Sequence, residues 1–233
     1  MVPCPGPRRS FPLTTRTTAT PETPAIGPAD STPTATTWLA LPTDLRRELR
    51  TDHAGEAGAV MIYRGVLALA RSPALRDFAH HHLQTEQQHL ALIEALVPPA
   101  GRSRLLPLWR VAGWLTGALP AVLGPRAVYA TIDAVETFVD QHYADQVRWI
   151  DRHTAAAPPA DRAGAALLAL RGLLERCRLD EVQHRDDARA RLGATGGATG
   201  SGPGGWPLRV LARAWSAVVG GGSAAAVRIS RWV

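Results

Sequence analysis

Ionisable side chains interrupt the apolar stripes of four predicted helices in this chain. Two of these stripes contain a glutamate followed three residues later by a histidine, a spacing that projects a carboxylate and an imidazole from the same helix face. The other two stripes each contain one glutamate at a position where the helical period predicts an apolar residue. The six residues are Glu56, Glu86, His89, Glu136, Glu181 and His184. A chain with this pattern must fold so that four carboxylates and two imidazoles face one interior.

Burial of so many charged groups requires a partner that cancels their charge. An ionised carboxylate buried without a partner costs several kcal/mol even after the protein relaxes. Two divalent cations would neutralise four carboxylates, and oxygen ligands with one imidazole per metal suit non-haem iron better than calcium or a thiolate zinc site. A lone glutamate combined with Glu-x-x-His is also the ligand pattern of di-iron proteins built on four-helix bundles. The pattern therefore predicts an all-α four-helix bundle that binds two iron ions, with manganese as the alternative metal.

Helix start and stop signals predict a bundle over residues 38–192. Asp44 lies near the start of the first helix, and Ser72 followed by Pro73 is typical of an N-cap and a first helical position. Paired prolines follow the second and third helices and are expected to end them. The predicted helices cover about 44–71, 73–97, 126–153 and 161–192, and a crossover at 100–125 joins the second to the third.

The flanking regions differ in composition from the bundle. Residues 1–37 are rich in Pro, Thr and Ala with few large apolar side chains, so we expect a disordered extension. A Gly-rich linker at 193–205 leads to an amphipathic segment at 206–233. No apolar stretch follows Arg8 and Arg9, which argues against a secretory signal and favours a bacterial protein on the cytoplasmic side.

Tryptophan and arginine occur together in the crossover and in the C-terminal segment. The apolar run of the crossover is shorter than the ~20 residues of a membrane span, and Pro107 and Pro120 argue against a straight helix that spans a membrane. We therefore expect both segments to lie as interfacial helices on a membrane surface, where tryptophan and arginine are favoured. An ordinary connection that packs over the bundle is the alternative for the crossover.

Charge and cysteine content exclude other kinds of site. The net charge of +6 comes from arginine, since the chain contains no lysine, and no base-stacking or phosphate-loop motif accompanies it. We therefore expect a membrane partner and no nucleic acid. Cys4 and Cys177 offer no disulfide framework or thiolate metal cluster, and Cys177 is predicted to be a small core residue.

The local sequence around the six residues resembles the demethoxyubiquinone hydroxylase family of ubiquinone biosynthesis. The resemblance covers about 45–192, with a looser match at 226–233 and in the crossover at Pro107-Leu108-Trp109. Thr137, where an acid is common in the family, the proline-rich extension and the Gly-rich linker are departures from it. The matching runs are Asp52-His53-Ala54-Gly55-Glu56, Glu86-Gln87-Gln88-His89, Ala134-Val135-Glu136, His142-Tyr143 and Asp180-Glu181-Val182-Gln183-His184.

This resemblance implies a ferritin-like, membrane-associated monooxygenase that hydroxylates the ring of a polyprenylated methoxybenzoquinol. It implies O₂ and reducing equivalents as co-substrates, with NADH as the candidate donor, and a lipid-presenting protein as a candidate partner. His142 and Tyr143 match positions near the quinone and the route of electron delivery. In the implied ligand set, Glu56 and His89 bind one iron, Glu136 and His184 bind the other, and Glu86 and Glu181 bridge them.

Two alternative functions follow from the same ligand pattern. A ferroxidase or iron-storage bundle would use the metal site with no organic substrate, and would not need an apolar entrance. A di-iron hydroxylase acting on a nucleic-acid base would fit the positive charge but not the Trp-rich crossover. We also expect Asp52 to accept a hydrogen bond from a ligand histidine, because metal-bound imidazoles usually have such a partner.

Overall fold

The computed structural model describes residues 35–156, 162–195, 221–222 and 227–231, and within these ranges the chain is all-α. The helices are α1 (Ala35–Ala40), α2 (Thr43–Leu69), α3 (Pro73–Leu96), α4 (Leu106–Leu123), α5 (Pro125–Ala156) and α6 (Arg162–Ala194), with a short 3-10 helix at Pro99–Gly101. Four long helices, α2, α3, α5 and α6, form the predicted ferritin-like bundle, so the predicted fold class is confirmed.

Local signals account for several helix boundaries. The hydroxyl of Ser72 accepts a hydrogen bond from the backbone N–H of Leu75 at 3.5 Å, and Pro73 occupies the first helical position. Gly124 separates α4 from α5 with a φ of 103°, a backbone conformation that glycine adopts without steric cost. The four bundle helices therefore begin and end within a few residues of their predicted limits.

Two apolar clusters fill the bundle, one on each side of the ionisable residues. The first cluster includes Leu49 and Ile93 together with Cys177, which is 1% exposed as the sequence predicted. The second cluster includes Val66, which follows Glu56 on α2, and Phe78, which precedes Glu86 on α3. Each bundle helix thus contributes to both clusters, and the candidate ligands occupy the helix turns between them.

Glycines bring α4 into backbone contact with α2. A Cβ atom at Gly117 would overlap the carbonyl oxygen of Ile62, and one at Gly65 would overlap the carbonyl oxygen of Trp114. Gly113 meets the backbone of Gly58 in the same way. Since no side chain fits between them, these two helices pack as closely as their backbones allow.

The outer face of α4 is apolar and exposed. Its prolines do not interrupt it, because Pro107 lies in the first turn and Pro120 in the last. These prolines are therefore no evidence against a straight helix, and the interfacial placement of the crossover stays a prediction. Leu106–Leu123 is long and apolar enough to cross a membrane on the criteria of length and composition alone, with 28% of that stretch buried. Leu123 is exposed at the end of the helix, and the other exposed large apolar side chains follow one helical stripe: Leu108, Val111, Leu115, Leu119 and Val122.

The predicted flanks fall largely outside the described residues. Helix α1 begins at Ala35, three residues inside the predicted disordered extension, because Trp38 and Leu41 are buried and join the first apolar cluster. Helix α6 continues to Ala194, two residues into the predicted linker. The other predictions for 1–34, the linker and most of the C-terminal segment stay predictions.

Candidate metal centre

The six predicted ligands meet at the centre of the bundle, and each is at most 4% exposed. They form two overlapping groups, and within each group one nitrogen or oxygen atom per residue lies within 4.8 Å of the others. Glu86 and Glu181 belong to both groups. The first group adds Glu56 and His89, and the second adds Glu136 and His184.

Both histidines direct the same ring nitrogen at the carboxylates. Nδ1 of His89 lies 3.0 Å from Oε1 of Glu181 and 3.8 Å from Oε2 of Glu56. Nδ1 of His184 lies 3.0 Å from Oε1 of Glu86 and 3.2 Å from Oε2 of Glu181. Glu181 therefore contacts both imidazoles, one through each of its oxygens.

Several of these atoms are close together without forming hydrogen bonds. Within the described part of the chain, Oε2 of Glu56, both oxygens of Glu86, Oε2 of Glu181 and Nδ1 of His184 are buried and have no hydrogen-bond partner. Buried polar atoms are nearly always hydrogen-bonded in native proteins. Donor atoms that converge on one region but are not aligned with each other fit a metal site.

The electrostatics of the cluster indicate a shortage of positive charge. Burial raises the pKa of Glu56 and of Glu136 well above the usual value for a carboxyl group. Burial acts in the same direction on Glu181, but its contacts with His184 and His89 outweigh it and lower the pKa of Glu181 to about 2. Burial would lower the pKa of His184, and contacts with Glu181 and Glu86 instead raise it to about 11. Two imidazoles cannot neutralise four buried carboxylates, and divalent cations can.

A cavity of about 400 Å³ lies beside this cluster. Its walls come from α2, α4, α5 and the C-terminal residues Val227 and Ser230, and are mostly apolar. The lining includes the carboxylates of Glu56, Glu86, Glu136 and Glu181, and its aromatic residues include Trp109 and Phe138. The predicted catalytic residues His142 and Tyr143 both line this cavity, which has the size of a small-molecule pocket.

Comparison with known proteins agrees with this arrangement. Residues 43–230 match the family model described as ubiquinone biosynthesis protein COQ7. The chain belongs to the COQ7 family. The resemblance seen in the sequence is thereby confirmed.

Three relatives illustrate the extent of the similarity. The 3-demethoxyubiquinol 3-hydroxylase of Rhodospirillum rubrum is 41% identical over 143 residues, which cover 60% of this chain and 61% of that protein. The protein of the same description from Alcanivorax borkumensis is 30% identical over 189 residues, 78% of this chain and 79% of its own length. The NADPH-dependent 3-demethoxyubiquinone 3-hydroxylase, mitochondrial, of Dictyostelium discoideum is 34% identical over 145 residues, covering 60% of this chain and 61% of the relative. The match thus spans about three fifths of the length of the Rhodospirillum rubrum and Dictyostelium discoideum proteins.

A carboxylate behind His89 was missed by the sequence reasoning about this COQ7-family chain. Nε2 of His89 lies 3.0 Å from Oδ2 of Asp180, on the side of the ring away from Glu181. The expectation that Asp52 contacts a ligand histidine was wrong, because Asp52 accepts a hydrogen bond from Gln146 and lies 2.9 Å from Nε2 of His142. The sequence shows Asp180 next to the candidate ligand Glu181. The Glu-x-x-His spacing identifies Glu181 but does not indicate which residue Asp180 contacts.

A second tyrosine was also missed. The hydroxyl of Tyr63 on α2 donates to Oε1 of Glu136 on α5 at 3.2 Å, and the hydroxyl of Tyr143 on α5 donates to Oε1 of Glu56 on α2. Each tyrosine follows the glutamate of its own helix by seven residues and contacts the glutamate of the other helix. This reciprocal arrangement fixes the orientation of the two carboxylates that are not shared between the groups.

His82 lies behind the second candidate metal position. Its ring centroid is 4.3 Å from that of His184 in an edge-to-face arrangement, and its Nε2 is 3.0 Å from Oδ2 of Asp187. Burial lowers the pKa of His82 to about 4, so this imidazole is neutral at physiological pH. The two candidate positions therefore have similar ligands and different surroundings.

Proposed function

We propose that this protein is an O₂-dependent di-iron monooxygenase that adds a hydroxyl group to the ring of demethoxyubiquinol in ubiquinone biosynthesis. The observation that carries the proposal is a pair of overlapping carboxylate and imidazole groups beside an apolar cavity, in a chain of the COQ7 family. Relatives that share this family are named as hydroxylases of demethoxyubiquinol or demethoxyubiquinone.

The proposed ligand set follows the two groups of donor atoms. Glu56 and His89 would hold one iron, Glu136 and His184 would hold the other, and Glu86 and Glu181 would bridge them. Two ferrous ions held by these residues would supply the electrons that reduce O₂. Asp180 would hold the ring of His89 in one tautomer, as carboxylates behind metal-bound imidazoles generally do.

The residues of the cavity would position the ring and exclude water. Phe138, Val139 and Trp109 provide apolar walls, and His142 and Tyr143 place polar atoms in the same space. Exclusion of water strengthens the electrostatic interactions inside the site and limits side reactions of the activated oxygen. The hydroxyl of Tyr143 also donates a hydrogen bond to Glu56. Tyr143 would therefore contact both the bound ring and a ligand of the metal.

The exposed face of α4 supports a peripheral membrane location. Its leucine and valine stripe is larger than the isolated apolar residues of an ordinary protein surface, and α4 forms one wall of the cavity. A polyprenyl quinol would enter the cavity from the lipid beside this helix. We propose that the protein binds the cytoplasmic face of a bacterial membrane, receives reducing equivalents from NADH, and accepts its substrate directly or from a lipid-presenting protein.

The cavity decides against the two alternative functions. A ferroxidase needs a path for ferrous ions and gives no role to an apolar chamber lined by Trp109, Phe138 and His142. A hydroxylase acting on a nucleic-acid base would need a basic, accessible rim, whereas the helix beside this cavity exposes leucine and valine.

A reconstitution experiment tests the proposal. Purified protein loaded with ferrous iron is mixed with demethoxyubiquinol in liposomes, NADH and O₂, and the quinone fraction is analysed by mass spectrometry. We expect a product that is heavier by one oxygen atom, labelled when ¹⁸O₂ is used. The double variant His142→Ala, Tyr143→Phe should bind iron and react with O₂ but form little product. Rapid oxidation of free ferrous iron by the wild type without any hydroxylated quinone would contradict the proposal and favour the ferroxidase.

A further inference from the structure

Asp52 and His142 form a hydrogen-bonded pair in the wall of the cavity. Nε2 of His142 on α5 lies 2.9 Å from Oδ1 of Asp52 on α2, and the side-chain amide of Gln146 donates to the same oxygen at 2.7 Å. The Asp52 side chain is fully buried, and its second oxygen has no hydrogen-bond partner among the described residues. Nε2 of His142 also lies 3.1 Å from the amide nitrogen of Gln146, which is a donor, so only the Asp52 carboxylate can accept a proton there. This favours the tautomer in which Nε2 carries the proton and leaves Nδ1 as a proton acceptor.

The pair is separate from the candidate metal ligands. Asp52 precedes Glu56 by one helical turn, and His142 follows Glu136 by almost two turns, so both lie beyond the donor cluster. Both side chains nevertheless line the same cavity as the carboxylates of Glu56 and Glu136. An imidazole with a carboxylate behind it, placed beside a substrate chamber, is the arrangement of a general acid–base group.

We infer that the Asp52–His142 pair accepts the proton of a ring hydroxyl group of the bound quinol, with His142 as the catalytic residue and Asp52 as its positioning residue. This inference rests on the proposed function, because it assigns a role toward the same substrate. Binding of the two metal ions by their ligands would require neither Asp52 nor His142.

The proposed step transfers one proton and no electrons. The O–H bond of the quinol breaks, its electron pair stays on the ring oxygen, and a new N–H bond forms at Nδ1 of His142. The resulting phenolate donates electron density into the ring, which makes its unsubstituted carbon more reactive toward the oxidant derived from O₂. After one oxygen atom has added to that carbon, the hydrogen of the carbon leaves as a proton to the new oxygen and the C–H electron pair restores the aromatic ring. His142 then returns its proton to the original ring oxygen. Asp52 stabilises the imidazolium cation in the interval.

The surrounding charges give the pair a measurable signature. His142 faces Asp52 and Glu48 from α2 and Arg231 from the C-terminal segment, where Arg231 is paired with Glu48 at 2.9 Å. Burial would lower the pKa of His142, but the hydrogen bond and the charge of Asp52 outweigh it and raise that pKa. The neutral form is the proton acceptor, so activity should rise with pH through the pKa of His142. Removal of the Asp52 charge should move this rise to lower pH.

Asp52→Asn tests the positioning role with little change of shape. We expect kcat to fall on the order of 100-fold, within the range for loss of acid–base catalysis, while the KM for the quinol and the iron content stay near wild type. The acidic limb of the pH profile should move to lower pH. The matched control is Asp145→Asn, an exposed acid on α5 with 73% side-chain exposure, which should change none of these quantities.

A binding measurement tests the proton transfer without turnover. The probe is a short-chain monomethyl ether of the quinol, which keeps one hydroxyl group and is not oxidised to a quinone. Bound to the wild-type iron protein, it should show the absorption band of a phenolate. In Asp52→Asn and in His142→Gln, the band should be lost at equal occupancy, determined from quenching of tryptophan fluorescence. His142→Gln also keeps the test valid if Asp52→Asn fails to fold.

The outcomes separate this inference from the proposed function. If the wild type hydroxylates demethoxyubiquinol and Asp52→Asn keeps its kcat and pH profile, the inference is wrong and the proposed function stands. A phenolate band of equal intensity in the wild type and in both variants would also overturn the inference. If the wild-type iron protein forms no hydroxylated quinol, the proposed function fails first.

Discussion

The two histidines of the candidate metal centre have similar contacts with carboxylates and different partners behind them. His89 has the carboxylate of Asp180 at 3.0 Å from its outer nitrogen, whereas His184 packs against the neutral ring of His82. A carboxylate behind a metal-bound imidazole makes the imidazole a stronger donor. We therefore expect the two repeats of the ligand motif to form metal positions of unequal affinity.

Loss of a ligand that both metal positions share should weaken iron binding at both positions alike. Glu181 contacts both imidazoles, so Glu181→Ala should lower bound iron at both positions and leave the nearby charges unmatched. We expect metal analysis to give far less than half of the wild-type iron content. Glu175→Ala, on the same helix with its side chain paired to Arg178, should leave iron content unchanged. A wild-type iron content in Glu181→Ala would show that this residue is not a bridge.

Removal of the carboxylate behind His89 should act on one position only. Asp180→Ala is expected to weaken metal binding at the His89 position by roughly 10- to 100-fold, the usual effect of losing such a partner, and to leave the His184 position near wild type. Titration of the metal-free protein with ferrous iron under argon should then show two separated steps. Asp186→Ala, at an exposed site on α6, is the control. Equal weakening of both steps would contradict the assignment of Asp180 to one histidine.

The tyrosine pair should distinguish orientation of a carboxylate from binding of the metal. Tyr63→Phe and Tyr143→Phe each remove one buried hydrogen bond to a glutamate, which should lower the free energy of unfolding by about 1 kcal/mol without loss of iron. Only Tyr143 lines the cavity, so only Tyr143→Phe should also raise the KM for the quinol. Urea unfolding and steady-state kinetics measure the two effects. If both variants lose iron, the tyrosines do more than orient the carboxylates.

Cys177 provides a probe of the His89 side of the centre. This thiol is buried in the first apolar cluster, and burial raises its pKa to about 12. The thiolate is the reactive form and develops only as pH rises toward that value, so alkylation of the native protein should be slow at mildly alkaline pH. Mass spectrometry after treatment with iodoacetamide, with and without urea, measures the rate. Fast alkylation of Cys177 in the native protein would mean that this side of the bundle opens readily.

The sequence predicted the six candidate ligands correctly as a buried group because the helical period is a local property. An acid or histidine within an apolar stripe must face the interior, whatever the neighbouring helix is. The partners of Asp52, Tyr63 and Asp180 could not be predicted in the same way, since they depend on how α2, α5 and α6 are rotated against each other. Pro107 and Pro120 were no evidence against a straight helix, because proline is tolerated in the first turn of a helix and Pro120 lies only at the end of α4.

The glycine contact between α2 and α4 joins the exposed apolar face of the protein directly to a helix of the candidate metal centre. Helix α4 exposes its apolar stripe on one face. Its other face touches the backbone of α2 at Gly58 and Gly65, which both follow Glu56 on that helix. Because no side chains lie between the two helices to rearrange, we expect a displacement of α4 by a lipid or a partner protein to move α2 with it. The position of a carboxylate deep in the bundle is therefore set in part by whatever the exposed helix rests on.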